Sequence, residues 1–198
     1  MKKTVLCACF LLAACAAAPT DQEISAQALK TLKGSFKERG QAKLDRLEQD
    51  ETQKLCSAPA GKETVARVEK ANFASLRYPA DGKLMGDWRE GEKIAQSGVG
   101  KQYSDDPKRP SGGNCYACHQ LSPQEISFGT IGPSLQGYGK LRGASEATQR
   151  YTYGKIYNAQ AFTGCSNMPR FGHNGILTEQ QLKHLVALLL DPASPVNR

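Results

Sequence analysis

Cys115-Tyr116-Ala117-Cys118-His119 places two thiols and an imidazole within five residues. One helical turn sets the two sulfurs along one edge of a porphyrin, where each can add to a vinyl group as a thioether. The same turn sets the histidine beneath the iron as an axial nitrogen. C-x-x-C-H is the attachment signature of c-type haem. Two other chemistries use these residue types. A thioredoxin-like dithiol needs a βαβ setting, and a zinc site needs two further ligands. The sequence offers no second C-x-x-C, no His pair and no convincing strand. One covalently bound haem c is therefore the expected cofactor.

A second axial ligand must come from Met85, Met168, His173 or His184. Met168 stands in Ser166-Asn167-Met168-Pro169-Arg170-Phe171-Gly172, a polar loop stiffened by Pro169 and set just ahead of the last helix. That placement resembles the ligand loop of class I cytochromes c, which implies Met168 as the sixth ligand of the iron. His/Met ligation fills both axial positions and suits electron transfer rather than oxygen binding. His173 shares the loop and is the rival ligand, whereas His184 reads as a surface residue on the flank of the terminal helix. Gly132-Pro133-Ser134-Leu135 also resembles the class I pattern. There the proline carbonyl accepts a hydrogen bond from the unliganded nitrogen of the axial histidine, which implies that Pro133 orients His119. Taken alone, an ordinary loop proline is the lesser alternative for Pro133.

The elements that must hold these residues read as helices throughout. Glu23 to Leu55 carries apolar residues at helical spacing (Ile24, Ala28, Leu29, Leu32, Phe36, then Leu44 and Leu47), with a break expected between Gly34 and Gly40. Its mixed charges suggest a solvated arm. Glu63 to Leu76, Asp87 to Ser97 and Glu146 to Ala161 are further helices, separated by Tyr78-Pro79-Ala80-Asp81-Gly82 and by a Gly/Pro/Asp/Ser-rich loop over 98–113. The last helix is the clearest. Thr178 and Gln181 form a capping box, Leu182, Leu185, Val186 and Leu189 form a buried stripe, and Asp191-Pro192 stops it. The expected fold class is all-α, a class I cytochrome c domain over 86–198 preceded by an N-terminal helical arm over 15–85.

The first 14 residues read as a leader: Met1-Lys2-Lys3 is cationic, and Thr4 to Ala14 is an apolar run too short to span a bilayer. Leu12-Ala13-Ala14-Cys15 resembles the lipobox of bacterial lipoproteins, which implies lipidation at Cys15 and a membrane-anchored protein in the periplasm. Cleavage after Ala18 is the competing reading, with Pro19 unfavourably placed behind it. Of the seven cysteines, Cys7 and Cys9 leave with the leader, Cys15 carries lipid and Cys115 and Cys118 carry haem. Cys56 and Cys165 remain, and in an oxidising compartment a disulfide between them is the simplest reading, with a bridge to a partner or a free thiol as alternatives. The formal net charge of +7 includes Lys2 and Lys3, and the other charges are interspersed, so no basic stripe invites nucleic acid.

Several phrases go beyond a general cytochrome c. Gly113 to His119, Ile131-Gly132-Pro133-Ser134-Leu135-Gln136-Gly137-Tyr138-Gly139, Asn167 to Gly172 and Leu190-Asp191-Pro192-Ala193-Ser194-Pro195-Val196-Asn197 together resemble SoxX. SoxX is the monohaem subunit of SoxAX, a sulfur-oxidation cytochrome complex. The resemblance implies the non-catalytic, electron-transfer subunit of a SoxAX-type L-cysteine S-thiosulfotransferase. In that family a SoxA-like subunit with one or two haems couples thiosulfate to a cysteine of the carrier SoxYZ. The smaller subunit takes up the released electrons and passes them to a downstream acceptor. No catalytic residue is implied in this chain. The long arm and the leader depart from compact members of the family, and the arm could wrap the SoxA-like partner. The alternative is a free-standing, membrane-tethered carrier between respiratory complexes.

Overall fold

The computed structural model describes residues 18–198; the leader over 1–14 and the expected lipid site at Cys15 lie outside the described residues. The described chain forms seven α-helices and four short 3-10 turns, and its only extended pairing is an isolated bridge between Arg39 and Ala42. The expected all-α class holds.

The chain divides into two units, one ending at Lys37 and the other running from Glu38 to Arg198. The first contains α1 (Asp21–Ser35), opened by a capping box between Thr20 and Glu23. None of its residues is buried.

The second unit begins with the expected break. Gly40 takes φ +50°, and Arg39 and Ala42 exchange backbone hydrogen bonds across the turn. The continuous helix expected up to Leu55 does not resume. A 3-10 turn over Leu44–Leu47 is followed by the short α2 (Glu51–Cys56), which Asp50 and Gln53 open with their own capping box. Each cap satisfies end groups that a continuous helix would have paired internally, so the segment is built as separate pieces.

The expected boundary at 85/86 is not where the units divide, because residues 38–85 pack into the same unit as the C-terminal helices. Val68 of α3 (Lys62–Ala74) is 2% exposed. Asn72, also in α3, is buried and accepts a 2.9 Å hydrogen bond from the Nδ2 of buried Asn158. Glu69 accepts from the backbone N–H of Gly164 at 2.9 Å. Polar residues that read as a solvated face are therefore spent on specific long-range pairs, which burial requires of them.

The core forms where α7 (Glu179–Leu190) crosses α4 (Trp88–Gln96). Leu182, Leu185, Val186 and Leu189 are buried as expected, and so are Ala187, Leu188 and Leu190, so the end of α7 is enclosed on all sides. The C-terminal tail closes it. Asn197 donates to the carbonyls of Leu189 and Asp191 and accepts from the N–H groups of Gly139 and Lys140. It thereby ties the end of α7 to α5 (Tyr138–Arg142). α6 (Glu146–Tyr157) supplies buried Tyr153 and Ile156 to the same core.

The α4/α7 crossing depends on Gly91, where a Cβ would lie 2.2 Å from the carbonyl oxygen of His184. His184 itself is half-buried rather than a surface residue. Its Nδ1 accepts the Asp87 N–H at 2.8 Å, joining α7 to the start of α4. Gly91→Ala is expected to force the helices apart and destabilise the protein by about 1–3 kcal/mol. A lowered urea midpoint with an unchanged m-value would show it.

Candidate functional site

The loop before the C-x-x-C-H segment is tied to both core helices. Gly113 donates to the Ile94 carbonyl at 2.8 Å, Asn114 donates to Ser97 at 2.9 Å, and the Gln181 side chain donates to Ser111 at 2.7 Å. Asn114 then turns the chain through φ +46° into a 3-10 turn over Cys115–Ala117. Tyr116, 6% exposed, anchors the turn: its hydroxyl donates to Glu92 at 2.9 Å and accepts the Ser122 N–H at 3.3 Å. Cys115 and Cys118 are both free of disulfides and half-buried. Desolvation of the Cys115 sulfur pushes its thiol up to about 12, so it stays protonated at neutral pH.

His119 Nδ1 lies 2.7 Å from the Pro133 carbonyl oxygen. A carbonyl can only accept, so Nδ1 carries the proton and Nε2 keeps its lone pair for a metal. Gly132 donates to the Cys118 carbonyl at 2.8 Å, and a Cβ on it would fall 2.1 Å from His119 Cε1. The imidazole therefore rests directly on the glycine backbone. That cradle is absent from the expectations drawn from sequence, where Gly132 is only one residue of a longer phrase.

Met168 is half-buried and, like Cys115, packs against the hydrophobic core. Its loop is pinned on both sides by the segment around α2. Three residues before it, Cys165 is disulfide-bonded to Cys56 and donates its N–H to the Gln160 side chain at 2.8 Å. Two residues after it, Arg170 is 6% exposed and ion-paired to Asp50. His173, the rival ligand, is exposed, and its backbone N–H bonds to the Tyr157 carbonyl.

Burial works to raise the Asp50 pKa, but hydrogen bonds from Arg170 and the Gln53 N–H, with the nearby guanidinium charge, outweigh it and leave the carboxyl below its ordinary value. A depressed folded-state pKa contributes stability that is present above the unfolded value, about 4. That contribution is lost as pH falls through the lower folded value. Asp50→Asn is thus expected to lower stability at pH 7, and its difference from wild type should shrink towards pH 3. Urea titrations at the two pH values measure this.

A c-type haem requires two unpaired thiols on one turn and an imidazole with one ring nitrogen available. The residues present meet each requirement. Among the described residues no group of three or more His, Cys, Asp or Glu side chains converges as a metal cage, and no strand supplies a βαβ setting.

The cytochrome c family profile matches residues 89–191. An uncharacterised lipoprotein of Aquifex aeolicus (strain VF5) is 39% identical over 213 residues, and the alignment spans 100% of both chains. No helix of the described residues is long and apolar enough to cross a membrane.

Proposed function

The chain belongs to the cytochrome c family, and we propose that it acts as the SoxX-like electron-transfer subunit of a SoxAX-type complex. Membership of the family implies a covalently bound haem c and a role in electron transfer. On the proposed reading one haem would be held by Cys115 and Cys118, with His119 and Met168 as the ligands of its iron. A SoxA-like partner couples thiosulfate to a cysteine of SoxYZ, and this chain receives the released electrons one at a time and relays them to a downstream acceptor. The observation that carries the electron-transfer role is the His119–Pro133 hydrogen bond over Gly132. The phrases shared with SoxX support the choice of partner.

The chain's own residues have separable tasks. Pro133 holds a proton on Nδ1, so the other ring nitrogen of His119 would face the iron as a strengthened donor. Gly132 lets the ring lie in one orientation. Cys115 and Met168 pack against the hydrophobic core, which would limit reorganisation on that side when charge changes. The pinned loop presents Met168 in a fixed place, and a ligand set that does not rearrange favours rapid transfer. When bound, the haem supplies the one-electron redox centre.

The cell compartment belongs to the same proposal: a lipoprotein facing the periplasm, in keeping with the leader and with the lipoprotein relative. That shared character also favours a second reading, a free-standing tethered carrier. Anaerobically purified holoprotein should be reduced on addition of thiosulfate only when a SoxA-like partner and SoxYZ are present. Reduction by a respiratory dehydrogenase, with no response to thiosulfate and those partners, would favour the second reading.

A further inference from the structure

α1 has an unexplained surface. Ile24, Ala28 and Leu32 recur every fourth residue, and Leu29 stands beside them, making one apolar face. That face is open to solvent: Ile24 is 52% exposed, Leu29 44% and Leu32 47%. Lys30 and Lys33 lie on the other side of the helix, and Asp21 and Glu23 stand in its first turn. A helix of 15 residues with none of them buried is marginal in water, yet this one is capped at Thr20, so a surface that covers its apolar face would stabilise it.

The position of α1 in the chain identifies the cover. Thr20 lies only five positions after Cys15, a reach of at most about 18 Å when fully extended. With Cys15 acylated, α1 cannot leave the immediate neighbourhood of the lipid surface. Tethering gives the bilayer a very high effective concentration at the apolar face. The long stem of Lys30 lets its ammonium group reach water from a helix lying in the interface.

We propose that α1 lies along a phospholipid surface, its Ile24/Ala28/Leu29/Leu32 face in the acyl boundary, as a second membrane contact beside the lipid anchor. This rests on the lipoprotein reading of Cys15. The two contacts together would fix the start of the chain flat on the membrane, where a single flexible lipid tether would leave it free to swing.

Hydrogen exchange on the lipidated holoprotein tests this, using vesicles of phosphatidylethanolamine and phosphatidylglycerol at 3:1. Amides of residues 21–35 should exchange at least about tenfold more slowly on vesicles than in the unacylated Cys15→Ser protein in solution. Leu29→Asp with Leu32→Asp should abolish that slowing and leave the amides of 179–190 unchanged. Slow exchange already present in solution would overturn the inference, pointing to packing on the rest of the chain, or on a second copy if it grows with concentration. Fast exchange on vesicles would equally overturn it and leave the face for a protein partner. Mass spectrometry of Cys15 separates the two levels: an unacylated Cys15 removes the anchor and this inference together, whereas acylation with fast exchange removes this inference alone.

Discussion

Replacing Met168 by alanine is expected to abolish the sulfur-to-iron charge-transfer band of the oxidised holoprotein and to lower its reduction potential. A thioether is a soft, neutral ligand that favours the ferrous state, and its loss leaves either a water or a stronger nitrogen donor in its place. Axial ligation sets haem potentials over a range of about 0.8 V, so a fall on the order of 0.1 V is the expected scale. Met168→Ala should leave haem attachment intact, because Cys115, Cys118 and His119 lie in a separate segment held by α4, Gly132 and Pro133. His173→Ala is the control. It should keep the band, since His173 is exposed beyond the turn with its backbone tied to Tyr157. Spectra of the two oxidised variants, with a redox titration of each, decide the ligand. An unchanged band in Met168→Ala would remove methionine from the iron.

The order of legibility follows the range of the interactions concerned. Local signals were clear in the sequence. Thr178 and Gln181 cap α7 as their types and spacing require, with Gln181 Oε1 accepting the Thr178 N–H at 3.0 Å. Trp88–Gln96 and Lys62–Ala74 start and stop within one or two residues of the expected helices. The C-x-x-C-H turn is local as well, although it closes as a 3-10 turn rather than an α-helical one. Short elements were harder to see. α5 has five residues between Gly137 and Gly143, both at positive φ, and that is too few for a periodic pattern to emerge. The same limit applies to Ala159–Ala161, where Asn158 interrupts α6 and restarts the chain as a 3-10 turn.

Long-range polar contacts were least visible. Asn72, Asn158 and Asn197 have the composition of surface residues, yet all three are buried and bonded to groups far away in the chain. A sequence pattern reports which face of an element is polar, not whether that face meets water or another polar face. For this reason residues 38–85 read as an arm although they belong to the unit that carries the site. Gly132 shows the same limit at the site itself. Its role depends on a ring 13 residues earlier in the chain, 2.1 Å from where its Cβ would be.

Removing the Cys56–Cys165 bridge by the paired substitutions Cys56→Ser and Cys165→Ser is the second large effect expected. The bridge spans a sequence separation of 109 residues. In the chain-entropy account, closing so long a loop in the unfolded state is worth about 4–5 kcal/mol, a large share of the stability of an ordinary domain. Part of the effect should appear at the iron rather than in global unfolding. Cys165 is three residues before Met168, and Arg170, two after it, is paired to Asp50 at the start of the same α2 that ends in Cys56. Both ends of the Met168 loop are therefore fixed to one short helix, and cutting the covalent end leaves the ion pair alone to hold it. The doubly substituted holoprotein should lose its charge-transfer band on warming well before its helices unfold by far-UV circular dichroism, whereas in wild type the two transitions should lie closer together. Adding Asp50→Asn to the double variant should bring the loss of the band to lower temperature again, because the second fixing point then goes as well. Coincident loss of the band and of helicity in every variant would show that the bridge stabilises the unit as a whole and does not position Met168.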